Sequence, residues 1–230
     1  MDICLKNEDY LVYHGVLREI LPKIFEDGLE PMSIADIVQR RLDVRTKSEL
    51  KQFHDFWWNL DCYTSDLLLR DRNAGKGKIV VCNSNTLDLL RNIKGEDFIL
   101  VDGAHPVYLP TTRQYIEESN GLELSANELN NLLFSCHYNS TNVKRSKVWK
   151  YLLGGQERLD AYVEAVVMEN DRIKDDLMKL CFTQTDKFPL VKLLRICDQK
   201  YNFNIGSTSF FTFNETLIGI SPEGHATRMK

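Results

Sequence analysis

The chain has 230 residues, of which 43% are hydrophobic and 27% charged, and its formal net charge at pH 7 is −4. This balance is that of an ordinary globular protein and excludes disordered, collagen-like and coiled-coil classes. The length predicts one continuous domain over 1–230 that needs neither disulfides nor a structural metal. No run approaches the roughly 20 apolar residues of a membrane span, and the first residues carry no signal-peptide pattern. We therefore expect a cytoplasmic protein without membrane contact.

Charge and cysteine usage restrict the partners further. The 33 acidic residues outnumber the 29 basic ones, which argues against binding nucleic acid by bulk electrostatics but allows a local basic groove. The six cysteines are scattered without a C-x-x-C pair. This scatter predicts reduced, mostly buried thiols and no metal site.

Apolar periodicity and turn residues predict alternating helices and strands. In the first half we predict a strand at 10–14 that Gly15 ends, helices at 17–28 and near 46–60, a strand at 78–82 and a helix at 86–93. In the second half we predict strands at 98–101, 159–168, near 177–183 and at 209–213, with helices near 111–119, 125–134 and 187–201. This mixture predicts an α+β fold.

The segment 159–168 is interpreted as a strand because its odd-numbered side chains are uniformly apolar. Its even-numbered side chains are mixed and include Glu164. A strand would turn the odd-numbered face into the core and present Glu164 on the other. Glu164 is then either a solvent-facing acid on a one-sided sheet or the wall of a cleft.

Two further positions at predicted strand ends carry groups able to do chemistry. The dipeptide His14-Gly15 combines an imidazole with a backbone that a ligand can approach closely, although the dipeptide alone favours a strand-ending turn with a partly buried histidine. Asp102 and His105 flank a turn after the strand at 98–101, and Asp-Gly is also a common turn signal.

One cluster of the chain combines cations with aromatic rings. Its members are Lys144, Arg145, Lys147, Trp149 and Lys150. Cations for phosphate and rings for base stacking suit single-stranded nucleic acid. A solvated helix face is the competing interpretation.

Five segments in chain order resemble the motifs of DarT-type ADP-ribosyltransferases. They are Tyr13-His14-Gly15 with 20–29, Asp61-Cys62-Tyr63-Thr64, Phe98 to His105, Arg158 to Val167 with Glu164, and 190–211. In the opening motif Ile20 replaces an asparagine, and Arg70 or Arg72 stands later than the arginine of the family.

The resemblance implies an ADP-ribosyltransferase-like mixed sheet with peripheral helices and an enzyme that uses NAD as co-substrate. Glu164 would stabilise the oxocarbenium-like ribose, and His105 would orient the acceptor or NAD. NAD would be bound by His14, Gly15, Tyr63, Arg70 and Arg72.

The family's acceptor is a base in single-stranded DNA, which the cluster at 144–150 would hold, and its role is that of a toxin or defence effector. An antitoxin or inhibitor protein is then a further expected partner. Two alternatives stay open: an acceptor of RNA or protein, and a non-catalytic binding or regulatory module.

Overall fold

The computed structural model describes residues 10–71, 76–93, 112–128, 136–138, 140–169, 178–181, 190–199, 202–206 and 215–225. Within these ranges the chain forms a mixed sheet of ten strands, flanked by helices. The α+β class predicted from the sequence is confirmed.

The described strands and helices have the following bounds. The strands are β1 (Tyr10–Gly15), β2 (Glu30–Pro31), β3 (Cys62–Asp71), β4 (Lys76–Val80), β5 (Leu122–Leu124), β6 (Cys136–Tyr138), β7 (Met178–Cys181), β8 (Leu190–Gln199), β9 (Asn202–Gly206) and β10 (Glu215–Ile220). The helices are α1 (Leu17–Glu26), α2 (Ile34–Thr46), α3 (His54–Trp58), α4 (Ser84–Asn92), α5 (Thr112–Glu118), α6 (Ser140–Arg145), α7 (Lys147–Leu152) and α8 (Gln156–Glu169). Short 3-10 helices cover Ser48–Phe53 and Pro222–Gly224.

The sheet is organised around β3. Its strand order is β1-β10-β3-β8-β9-β7-β6, with β2 added to β10, and with β4 paired to both β3 and β5. β10 meets β3 in parallel at Tyr63, while β4 runs antiparallel to the second half of β3, from Leu67 to Asp71. β1 pairs antiparallel with β10, so the first and last described strands lie side by side.

Helices cover both faces of this sheet. Successive residues of a strand point to opposite faces, and Cys62 belongs to one buried cluster while Tyr63 belongs to the other. The first cluster also contains buried side chains of α2, α7 and α8, and the second contains those of α1 and α4. The sheet therefore separates α8 from the side chain of Tyr63.

The strand predicted at 159–168 is wrong, because this segment is part of α8. Leu159, Tyr162, Val163 and Val166 are buried, a spacing of i, i+3, i+4 and i+7 that belongs to a helix. Val167, which the alternation placed in the core, is exposed. Glu164 consequently lies on a helix and not on the sheet.

The helix predicted at 187–201 is also wrong, because 190–199 form β8. Val191 and Leu193 pack in one cluster, and Leu194 and Ile196 pack in the other. A strand buried on both faces loses the polar alternation that marks a one-sided strand, and its apolar run then fits a helical template equally well.

Most of the other predicted elements are confirmed with shifted ends: the strands at 10–14, 78–82 and 177–183, and the helices at 17–28, 86–93 and 111–119. The helix near 46–60 is instead a 3-10 helix followed by the short α3. The prediction missed α2, although Ser33 and Asp36 form a capping box at its start. The strands at 98–101 and 209–213, and the helix at 125–134 beyond 128, lie outside the described residues. No helix within the described ranges has the length and apolar character needed to cross a membrane.

Candidate functional site

Glu164 is an exposed residue of α8. Its side chain is 67% accessible to solvent, and Oε1 lies 3.5 Å from Nζ of Lys144 on α6. The same Nζ lies 3.9 Å from Oδ1 of Asp160. The structure thus brings together two residues that the sequence assigned to different tasks, the catalytic acid and the nucleic-acid cluster. An ion pair this exposed contributes little to stability.

The residues predicted to bind NAD lie elsewhere. His14 is exposed on β1, where Nδ1 lies 3.1 Å from the Thr216 hydroxyl. Gly15 leads into α1, and a Cβ at this position would lie 3.0 Å from Ile20 Cγ2. The glycine therefore permits close packing of strand against helix.

The two other described NAD-binding candidates are covered by the fold. Tyr63 is 5% exposed, and the Arg195 guanidinium lies 5.4 Å from its ring centre. Arg70 is also 5% exposed, on β3. In this structure neither side chain offers an open face to a nicotinamide ring or a diphosphate. Arg72 and His105 lie outside the described residues.

The basic-aromatic cluster is only partly available to a ligand. Trp149 is fully buried in the first core cluster, so its ring has no face on which a base could stack. Lys147 forms an ion pair with Glu128, and this pairing, with hydrogen bonds from Ser125, lowers the pKa of Glu128 to about 2. Arg145 and Lys150 are exposed.

A groove of about 330 Å3 lies between α6 and α8. Its lining residues, which define the α6–α8 groove, are Thr141, Lys144, Val163, Glu164, Val167 and Met168. Val167 is 43% exposed and Met168 is 64% exposed, and among the described residues these are the large hydrophobic side chains that remain open to solvent. Together with the charged side chains of Lys144 and Glu164, they form a small mixed surface on α6 and α8.

The groove is built on a firmly held helix. On the inner side of α8, Arg41 Nη1 donates a hydrogen bond of 2.8 Å to the Tyr162 hydroxyl. At the C-terminal end, Arg45 Nη1 donates to the Ala165 carbonyl at 2.7 Å, and Nη2 lies 3.2 Å from the Met168 sulfur. These contacts position the exposed methionine before any ligand arrives.

A second polar constellation is buried at the start of α2. The His225 side chain is fully buried, with Nδ1 at 2.7 Å from Asp36 Oδ2 and Nε2 at 3.2 Å from Glu30 Oε2. The Ser33 hydroxyl and backbone N–H also donate to Asp36 Oδ2. Burial opposes ionisation of Asp36, but the hydrogen bond and charge of His225, together with Ser33, lower its pKa. This arrangement ties the last described residue to β2 and α2.

Asp66 on β3 lies beside this constellation. Its carboxylate accepts backbone N–H bonds of 2.7 Å from Ile34 and from Cys82. Complete burial nevertheless raises the pKa of Asp66 to about 7. Burial likewise raises the pKa of the Cys82 thiol to about 12, which makes it a poor nucleophile. These buried groups have structural roles, and no group of three or more metal-ligating side chains is placed to hold a metal within the described ranges.

Comparisons with known proteins identify a fold but no family. No protein-family model and no curated protein matches the chain. A solved structure, described as showing how the C-type lectin fold accommodates massive sequence variation in Nanoarchaeota, superimposes with a TM-score of 0.64. The fold resembles that of C-type lectins. The superposition covers 94% of this chain and 99% of the other at 11% sequence identity, so the likeness concerns the fold alone.

The C-type lectin-like fold changes how the sequence motifs are interpreted. The solved structure is described as a C-type lectin fold and not as an ADP-ribosyltransferase, and the segments that resemble that family lie on both strands and helices of this chain. The segment matched to the catalytic strand is the helix α8. The groove was missed from the sequence because the strand interpretation turned Val167 into the core and placed Met168 on the opposite face with Glu164. The helical spacing of Leu159, Tyr162, Val163 and Val166 is the sequence signal that could have identified this segment as a helix with Val167 and Met168 on its surface.

Proposed function

We propose that this protein is a non-catalytic binding module that holds a partner polypeptide in the α6–α8 groove. The observation that carries the proposal is the exposure of Val167 and Met168 next to the Lys144–Glu164 ion pair, on a helix whose inner face is locked into the core. A rigid scaffold with an open apolar groove binds by complementarity and does not need a reactive group. The likeness to a C-type lectin fold provides such a scaffold.

The chemistry of the groove selects a particular kind of segment. The apolar lining of the groove favours a partner that inserts an apolar side chain, because contact with that side chain removes Val167 and Met168 from water. On the rim, Asp160 and Glu164 share the single amine of Lys144. The local charge is therefore negative, and it favours a lysine or arginine next to the inserted apolar residue.

A displayed library of short random peptides tests this proposal. Panning against the wild-type protein is expected to enrich sequences in which an apolar residue stands beside a basic one. Met168→Glu should weaken their binding by at least about tenfold, because it places a charge in the apolar contact. Gln52→Glu adds the same charge at an exposed position outside the groove and should leave binding unchanged. Peptides that bind Met168→Glu as well as wild type would refute docking in the groove.

ADP-ribosyl transfer is the competing hypothesis, and a separate experiment decides between it and the non-catalytic function. Because Glu164 is exposed on α8 while Tyr63 is covered on the far side of the sheet, we expect no shift in melting temperature with millimolar NAD. We likewise expect no transfer of label from NAD to a mixed pool of DNA and RNA oligonucleotides. Transfer by wild type that is lost in Glu164→Ala would overturn the non-catalytic assignment and restore the enzyme.

A further inference from the structure

We infer that the buried constellation at the start of α2 is a proton-operated latch, which holds the segment 221–225 closed while Asp66 carries a proton and releases that segment as the pH rises through neutrality. The segment follows β10 and contains the 3-10 helix Pro222–Gly224. The latch shares no residue with the α6–α8 groove and does not depend on what the groove binds.

One buried side chain anchors the segment 221–225. Its 3-10 helix has no buried residue, and the Gly224 N–H donates to the Ser221 carbonyl within the segment itself. The His225 side chain is fully buried, with one nitrogen 2.7 Å from Asp36 on α2 and the other 3.2 Å from Glu30 on β2. A segment with so few contacts opens at a lower free energy than the sheet it lies against. Weakening the His225 contacts is therefore the direct way to free it.

The constellation sets three carboxyl groups against two cations. Both ring nitrogens of His225 face carboxylate oxygens, which favours the protonated ring, and this cation balances Asp36. Arg91 balances Glu30 at a distance of 2.6 Å. Asp66 is completely buried and forms no ion pair within the described ranges. The charges therefore balance while Asp66 is neutral, and its ionisation adds a third negative charge that is out of water.

Two further titratable groups lie close enough to Asp66 to feel its charge, and both keep their protons. Burial raises the pKa of the Cys82 thiol to about 12, and it raises the pKa of the Tyr151 hydroxyl on α7 above its ordinary value. Burial raises the pKa of Asp66 itself to about 7, although the nearby charge of His225 favours the ionised form. Asp66 is thus the carboxyl group that changes its charge near neutrality.

Opening the segment gives water a path to Asp66. The imidazole then leaves the side of Asp36, which lies in the same helical turn as Ile34, whose N–H is bonded to Asp66. In water the carboxyl group has its ordinary pKa of 3.8, against about 7 in the closed protein. Between these values opening releases a proton, so the equilibrium constant for opening should rise about tenfold per pH unit. It should level off above about pH 7.

Cleavage of the full chain after Glu223 by a glutamate-specific protease measures the opening. Glu223 is exposed, but the bond that follows it lies in the 3-10 helix, so cleavage requires the opened state and tracks its population. Mass spectrometry follows the release of residues 224–230. A synthetic peptide of residues 219–230, cleaved at each pH, corrects for the pH dependence of the protease. The rate for wild type, divided by the rate for this peptide, should rise about tenfold per pH unit from about pH 5 to about pH 7.

Three variants identify the groups that carry the effect. Asp66→Asn cannot ionise, so its relative rate should stay flat over this range. His225→Ala removes the anchor and should be cleaved at least about tenfold faster than wild type near pH 5. His14→Ala makes the same change at an exposed histidine and should behave as wild type.

Any of three results would overturn the latch. A relative rate that stays flat in wild type shows that opening takes up or releases no proton. A rise in Asp66→Asn equal to that of wild type shows that Asp66 is not the group that titrates. Equal cleavage of wild type and His225→Ala shows that the histidine does not hold the segment. If His225→Ala does not fold, wild type and Asp66→Asn still decide, because both keep the histidine.

Discussion

Replacing His225 with alanine is expected to lower the free energy of unfolding by about 1–3 kcal/mol, because it leaves the buried Asp36 without one of its hydrogen-bond partners. The imidazole is fully buried, and its two nitrogens face Asp36 and Glu30, whose side chains are 1% and 4% exposed. Without the ring both carboxylates keep their burial but lose this partner. Arg91, at 2.6 Å from Glu30 Oε1, continues to compensate Glu30. Most of the loss should therefore arise at Asp36.

Urea unfolding of His225→Ala and wild type measures this loss. His14→Ala is the matched control, since the same substitution at an exposed histidine should cost less than about 0.5 kcal/mol. If His225→Ala does not fold, His225→Gln provides the comparison, because its amide N–H can still donate to one of the two carboxylates. A loss below about 1 kcal/mol in His225→Ala would show that the constellation contributes little.

The buried constellation also shows why part of this structure could not be predicted from the sequence. Asp36 and His225 are 189 residues apart, and no local pattern marks them as partners. Asp66 could have been noticed, since it is a carboxylate directly before the apolar run Leu67-Leu68-Leu69 of β3. Its partners, however, are backbone N–H groups of distant residues. The tertiary structure decides which polar residues pair when they are far apart in the sequence. The hydrophobic periodicity of the sequence carries no information about these pairs.

Local patterns succeeded for β1 and α1. β1 is a short run of large apolar residues that Gly15 ends, and α1 has the helical spacing of Leu17, Ile20 and Ile24. In α8 two periods overlap, because Leu159 and Val163 satisfy both the strand and the helix template. The residue that distinguishes the two templates is Val167, which the strand template buries and which the structure shows to be exposed. The strand interpretation allowed Glu164 to form the wall of a cleft, whereas in the structure Glu164 lies on the surface of a helix. The catalytic hypothesis depended on the placement in a strand.

The α6–α8 groove and the buried constellation around Asp36 place their charged side chains in opposite environments. In the α6–α8 groove, the charged side chains remain in water, so exchanging them changes a partner more than it changes the fold. In the constellation around Asp36, the charged side chains are out of water, so the same exchange threatens the fold. Substitutions in the groove can therefore be tested for their effect on binding in a protein that stays folded. Substitutions around Asp36 cannot, because they also destabilise the fold.

The contribution of Asp66 to stability is expected to fall as the pH rises from about 4 to about 7. Burial raises its pKa to about 7 in the folded protein, against 3.8 for the ordinary group that represents the unfolded chain. Between these values the unfolded chain has lost the proton and the folded protein still holds it, so raising the pH favours unfolding. The loss is about 1.4 kcal/mol per pH unit, or about 4 kcal/mol in total, and it ends above the folded pKa. Asp36, whose pKa is lowered, loses its own contribution only below 3.8, outside this window.

Comparing wild type with Asp66→Asn isolates this contribution, because the other titrating groups are common to both proteins. Near pH 4 wild type should be the more stable, since the amide oxygen of asparagine can accept only one of the two N–H bonds from Ile34 and Cys82. As the pH rises to about 7 that advantage should shrink by about 4 kcal/mol, because wild type then bears the cost of a buried charge. A difference that stays flat would mean that the two N–H bonds outweigh burial and hold the pKa of Asp66 near its ordinary value. A carbon-13 titration of the Asp66 carboxyl carbon decides this directly in the wild-type protein, with a midpoint near 7 expected if burial dominates.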